Sequence, residues 1–162
     1  SLLVLSSLVP ALCYVCGMLT MIRLMHESDV EDVSELDRAI FPLNGFSVRQ
    51  LHAELRDGVG LVASRGSDIV GYCLLRRDGA LTEVTRIAVA TLARGTGVGR
   101  ALLVNALLET GGGTMSLQVG KENGAAFLLY SKSGFRIVGE SGNTWVMQFR
   151  ENQAPADCYL RV

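Results

Sequence analysis

The segment RIAVATLARGTGVGRALL, from Arg86 to Leu103, carries the densest chemical signal in the chain. Apolar residues of strand character, Ile87 to Val89, run into a loop with glycines at positions 95, 97 and 99. The loop opens at once into a Leu-rich stretch that reads as a helix. Backbone N–H groups at a helix N-terminus lack partners and carry partial positive charge, so a junction of this kind binds phosphate. Alternating glycines keep Cβ atoms out of a ligand's way, and Arg94 and Arg100 add charge beside it. Arg94, Gly95, Thr96, Gly97, Val98, Gly99 and Arg100 therefore form a candidate pyrophosphate cradle. Two familiar phosphate loops do not fit. A dinucleotide G-x-G-x-x-G would need glycine where Arg100 stands, and a Walker loop would need a lysine that is absent.

Other reactive side chains are sparse. Cys13 and Cys16 form a C-x-x-C, with Cys73 and Cys158 elsewhere. No second C-x-x-C and no histidine pair accompanies them, so no metal site is expected and the cysteines read as free thiols of a reducing compartment. His26 and His52 lie outside any motif and read as surface or packing residues. Glu83 lies on the strand ahead of the glycine loop. It reads either as an exposed carboxylate paired with Arg86 or a neighbour, or as a base.

The elements that must hold these groups follow from periodicity and punctuation. Ile22 to Met25 suits a first strand. Ser28 with Glu31 forms a capping box, and Val30, Val33, Leu36 and Ile40 recur at helical spacing. Phe41-Pro42 ends that helix, because the residue before proline avoids the helical region. Ser47 with Gln50 starts a second helix, to about Arg56. Three strands follow, GLVASR, IVGYCLLR and ALTEVTRIAVA, with a hairpin turn at Asp78-Gly79. After the glycine loop and its helix come the strand TMSLQV, a helix from Asn123 stopped by Gly134, and a last hairpin, FRIVGE and TWVMQF. The order β-α-α-β-β-β-α-β-α-β-β specifies an α+β fold: a mixed, mostly antiparallel twisted sheet flanked by helices, with parallel pairing at the crossovers after Ala90 and Val119.

The chain has 162 residues and a formal net charge of −1. That suits one domain and leaves no basic footprint for nucleic acid. No charge precedes Arg23. A helix of that length would reach about 33 Å, near the hydrocarbon thickness, but Pro10 interrupts it and no basic n-region opens it. We expect residues 1–20 to be an apolar leader outside the domain, 21–150 the domain, and 151–162 a polar tail, in a cytoplasmic protein without membrane attachment.

Arg94-x-x-Gly97-x-Gly99 after Ile87-Ala88-Val89 resembles the acetyl-CoA signature of the GCN5-related N-acetyltransferase (GNAT) superfamily. Asn123-x-x-Ala126-x-x-Leu129-Tyr130-x-x-x-Gly134-Phe135 is similar to that family's second motif, at the usual separation, and the element order from Met21 to Arg150 matches. The resemblance implies direct acetyl transfer from acetyl-CoA to an amine: a protein N-terminus, a lysine or a small amine. It places cofactor contacts at Ile87, Ala88 and Val89, the Arg94–Arg100 loop, Asn123 and Ala126. The backbone of Ile87 to Val89 would hold the oxyanion, and Tyr130 would be the general acid for the CoA thiolate. The pattern is nearest to ribosomal-protein N-terminal alanine acetyltransferases, with two departures. Gln118 stands where that group has a glutamate, and the aromatic segment after the last Gly-Phe is missing. Glu83 matches the position of the histone acetyltransferases' base. The vacancy at Gln118 also motivates an alternative, a non-catalytic acyl-CoA-binding regulatory module.

Overall fold

The structure is a computed structural model that describes residues 11–15, 18–111 and 113–150. Its sheet has eight strands in the order β1-β2-β3-β4-β5-β6-β8-β7. The strands are β1 (Ala11–Val15), β2 (Met18–Leu24), β3 (Gly58–Arg65), β4 (Asp68–Asp78), β5 (Leu81–Val89), β6 (Thr114–Gly120), β7 (Arg136–Ser141) and β8 (Thr144–Arg150). The helices are α1 (Val30–Ile40), α2 (Val48–Asp57), α3 (Val98–Thr110) and α4 (Gly124–Lys132). All neighbours pair antiparallel except β5 and β6. The second crossover makes no parallel pair, because β8 inserts between β6 and β7.

Strand alternation sorts the core to two faces. Val62, Tyr72, Leu74 and Ala88 face α1 and α2, packing on Val30, Val33 and Leu51. Leu61, Ala63, Cys73, Leu75 and Val84 face the other way, onto Val98, Leu102, Leu103 and Ala106 of α3 and Tyr130 of α4. The register slip opposite Leu74 and Leu75 resets the alternation in β5, so Val84 and Ala88, four residues apart, face opposite ways.

Two starts differ from expectation. β2 begins at Met18 rather than Ile22, and Ala11–Val15 pairs with it, so the sheet extends into the segment read as a leader. Thr20 is fully buried there. Residues 1–10, 16–17 and 151–162 lie outside the described residues, and with them most of the expected leader and the whole tail. The Ser28–Glu31 capping box does not form. A 3-10 turn, Glu27–Asp29, precedes α1 instead, and Asp29 Oδ2 accepts the His26 N–H at 2.7 Å. Asp29 wins because Arg23 clamps its carboxylate at 2.6 and 2.8 Å, a fork geometry that serine cannot offer.

The Arg23 hydrogen bonds, chiefly, hold the Asp29 carboxyl below its ordinary value. A depressed folded-state pKa stabilises the fold above the unfolded value of about 3.9 and is lost as pH falls through the folded value. Asp29→Asn should therefore lower stability at neutral pH and flatten the acid limb of the unfolding curve below pH ~4. Urea midpoints measured from pH 7 to pH 3 check this.

The Ser47–Gln50 box forms as expected, with Gln50 N–H on Ser47 Oγ at 3.3 Å and Ser47 N–H on Gln50 Oε1 at 2.9 Å.

Candidate active site

β5 and β6 run parallel but share a ladder only from Leu81–Thr114 to Val84–Leu117. Beyond it β5 stays paired to β4 as far as Val89, and β6 to β8 as far as Gly120. A gap opens between them. The Ala90 N–H donates to Val70 O at 2.8 Å, toward β4. N–H directions alternate along a strand. Ala88 therefore turns its peptide to β4, while the peptide groups of Ile87 and Val89 point into the gap. Arg94 Nε donates to the Val89 carbonyl at 3.1 Å, which satisfies that acceptor.

The glycine loop sits at the mouth of this gap. Gly95 and Gly97 adopt left-handed φ values of 71° and 86°, a region that costs other residues about 1–2 kcal/mol. Gly99 serves a different need. A Cβ there would lie 2.9 Å from Leu129 Cδ2, so glycine lets α3 approach α4. The first intrahelical bond runs from the Ala101 N–H to Gly97 O, and Gly97 has no side chain to cap the turn. Among the described residues, the N–H groups of Val98, Gly99 and Arg100 have no protein partner. The loop thus offers free donors at the start of a helix, next to an open strand edge.

Tyr130 enters from α4. Its ring is buried, tilted against Phe135 at 6.1 Å, which in turn meets Phe149 at 5.8 Å. The Gly-Phe that ends the second motif thus supplies both the helix stop, with Gly134 at φ 95°, and the anchor for the tyrosine. The Tyr130 hydroxyl has no protein partner among the described residues, yet no side-chain polar atom is left both buried and unpaired. Burial raises the hydroxyl's pKa well above the ordinary phenol value, and the nearby thiol of Cys73, the cross-strand partner of Ile87, adds to the rise. The group keeps its proton at neutral pH and so stands as a proton donor. Asn123 caps α4 by accepting the Ala126 N–H at 3.2 Å, so that donor is already used.

Glu83 lies on the opposite face of the sheet. α1 and α2 pack there on β3, β4 and the Arg86–Ala88 end of β5, and the rest of that face forms a floor beside them. Glu83, Ser116, Gln118 and Gln148 share that floor, since Glu83 is in register with Ser116 and Ser116 with Gln148. The expected pairing of Glu83 with Arg86 is absent. Arg86 Nε bonds Asp37 Oδ1 at 3.2 Å, and Arg76, the cross-strand neighbour, is held by Glu54 at 3.0 and 3.1 Å. Among the described residues Glu83 has no ion-pair partner, and it is half-buried. Gln118 is exposed and touches Thr144. His52 faces a cavity of about 420 Å³ between α2 and the ends of β2 and β3, away from this floor.

Sequence reasoning missed the wall of the groove. Arg86 lies between the rings of Phe41 and Phe46, at 4.3 and 4.2 Å, and bonds the Asn44 carbonyl. Asp37 is fully buried and also accepts the Tyr72 hydroxyl and, at 2.5 Å, the Phe46 N–H. This knot fixes the α1–α2 loop beside the open floor and leaves Leu43 99% exposed at its tip. Tyr72 and Arg86 stand 35 and 49 positions from Asp37, so no spacing rule could have joined them to it.

A family model described as "Acetyltransferase (GNAT) domain" matches residues 56–137. The chain is 34% identical over 122 residues to the N-alpha-acetyltransferase RimI of Mycobacterium tuberculosis (strain ATCC 25618 / H37Rv), covering 69% of this chain and 75% of that protein. Among solved structures, a PaiA N-acetyltransferase from Thermoplasma acidophilum in complex with coenzyme A superposes with TM-score 0.73, at 20% identity over 81% of this chain and 98% of that one. The ribosomal-protein-S18-alanine N-acetyltransferase from Escherichia coli superposes with TM-score 0.71, at 17% identity over 86% of this chain and 99% of that one.

Proposed function

Because the chain belongs to the GNAT acetyltransferase family and is an acetyl-CoA-dependent N-acetyltransferase, we propose that its acceptor is the α-amine of a peptide or protein N-terminus. The observation that carries the reading of the site is the split between β5 and β6, with the free N–H groups of the Gly97–Arg100 turn at its mouth. An acyl-CoA fits this geometry in sections. The pyrophosphate lies on the helix N-terminus, where donors and dipole favour it. The pantetheine arm follows the strand edge, and the thioester comes to rest beside the peptides of Ile87 and Val89. The amine arrives from the floor that carries Glu83.

The reaction then has an actor for each proton. The acceptor amine loses its proton to Glu83, directly or through one water. Its nitrogen attacks the thioester carbon, and the backbone N–H groups at the gap stabilise the oxyanion. As the tetrahedral intermediate collapses, the C–S bond breaks, Tyr130 protonates the departing thiolate, and the nitrogen's second proton leaves to water, from which Tyr130 regains its own. An α-amine suits this weakly equipped base, since its free pKa of about 8 lies more than two units below that of a lysine. The similarity to an N-alpha-acetyltransferase supports the same class, while Gln118 and the short β7–β8 turn at Ser141–Thr144 set this chain apart from the ribosomal-protein group. We infer a cytoplasmic setting from the free Cys73 thiol and from that relative.

Release of CoA thiol tests the proposal. A short peptide with a free N-terminus should support turnover, and the same peptide with its N-terminus blocked and an internal lysine should not. The opposite pattern would replace the proposed acceptor class. Glu83→Gln should lower kcat/KM for the peptide by about 100-fold and leave KM for acetyl-CoA unchanged. An unchanged kcat/KM for the peptide would exclude Glu83 as the base.

A further inference from the structure

Arg65, at the last position of β3, is remote in sequence from the glycine loop and touches it. Its NH2 donates to Thr96 Oγ1 at 2.9 Å, and its Nε donates to Oγ1 of the buried Thr20 at 3.0 Å. Thr96 Oγ1 in turn donates to the Ala93 carbonyl at 2.5 Å. The Thr96 hydroxyl therefore has its single proton and one lone pair committed, which fixes its rotamer. Thr96 stands between Gly95 and Gly97, the two residues with left-handed φ. Glycines on both sides make this the least constrained part of the backbone near the site, and it sets the direction of the Val98–Arg100 turn whose free N–H groups would grip an anion.

We propose that Arg65 is a positioning residue for the acyl-CoA diphosphate: by pinning Thr96 it holds the Gly95–Gly97 backbone in its anion-binding shape. The inference rests on the reading of the glycine loop as the CoA diphosphate cradle. Arg65 does this through Thr96 and not by touching phosphate. The tether also joins the cradle to the β2–β3 end of the sheet, so the loop inherits the rigidity of strands it does not belong to. The order of the links follows from chemistry. A guanidinium has donors only, so the hydroxyl must turn its proton away from it, and the Ala93 carbonyl is where that proton goes.

The test is a double-mutant cycle on the full chain, with Kd measured by calorimetry for acetyl-CoA and for acetyl-pantetheine, which lacks the diphosphate. Arg65→Met and Thr96→Val should each weaken acetyl-CoA by about tenfold, and the double variant should weaken it no further than either single. Thr96→Ser, which keeps the hydroxyl, should bind acetyl-CoA like the parent. Acetyl-pantetheine should bind all four variants and the parent alike, a pattern that general damage to the fold would not produce. Additive losses in the double variant would overturn the proposal, because Arg65 would then act by charge alone. Unchanged binding in Arg65→Met would overturn it as well. If the parent fails to bind acetyl-CoA at all, the cradle reading fails instead, and the two failures are distinct.

Discussion

Replacing Tyr130 by phenylalanine is expected to lower kcat by about a hundredfold or more, within the range for loss of a positioned general acid, while the Kd for acetyl-CoA stays within about twofold. The substitution removes one oxygen from a ring whose packing against Phe135 is otherwise complete, so the fold should be untouched. Among the described residues the hydroxyl has no hydrogen-bond partner to lose. As the proposed general acid it would act only when a thiolate forms beside it, which is the condition for an effect on kcat and not on binding. The raised pKa adds a pH signature. Tyr130 should contribute no basic limb to the profile below pH ~10, the ordinary phenol value. Pre-steady-state and steady-state release of CoA thiol would measure both quantities. Unchanged turnover in Tyr130→Phe would remove this residue from the chemistry and require another proton donor at the gap.

Asp37→Ala is expected to cost about 3–5 kcal/mol of stability, the range for removing one partner from a buried ion pair. The carboxylate has no exposure, pairs with the Arg86 guanidinium, and takes hydrogen bonds from Tyr72 and the Phe46 backbone. Its loss would leave the Tyr72 hydroxyl and the Phe46 N–H without acceptors in the core and Arg86 with a charge partly shut away from water. For a chain of this size the melting temperature should fall by roughly 10 °C. Urea unfolding should show a lower midpoint at an unchanged slope. Asp37→Asn keeps an acceptor and should cost less. A change of under about 1 kcal/mol in Asp37→Ala would mean that water replaces the carboxylate, and the knot would then be ornamental to the groove wall.

Both residues mark where reading along the chain succeeds and where it stops. Tyr130 was legible because everything that places it is near in sequence: the Asn123 cap, the helical spacing, the Gly134 stop and the Phe135 anchor. Asp37 was not, because its partners stand 9, 35 and 49 positions away and meet only when α1 docks on β4 and β5.

The order of elements, the caps at Ser47 and Asn123, and the glycine loop opening a helix were all determined by the sequence. Each depends on bonds within a few residues or on φ values that glycine adopts freely, and two such motifs in the right order were enough to identify the family. The Ser28–Glu31 cap failed on the same local logic, since a local rule cannot weigh Arg23 reaching across to Asp29. The fold alone opened the gap between β5 and β6, inserted β8 between β6 and β7, freed Glu83 by giving both neighbouring arginines other partners, and brought Arg65 to Thr96. These are decided by which strands pair and where pairing ends. The contacts involved join residues far apart along the chain, and neither composition nor periodicity encodes where such residues meet.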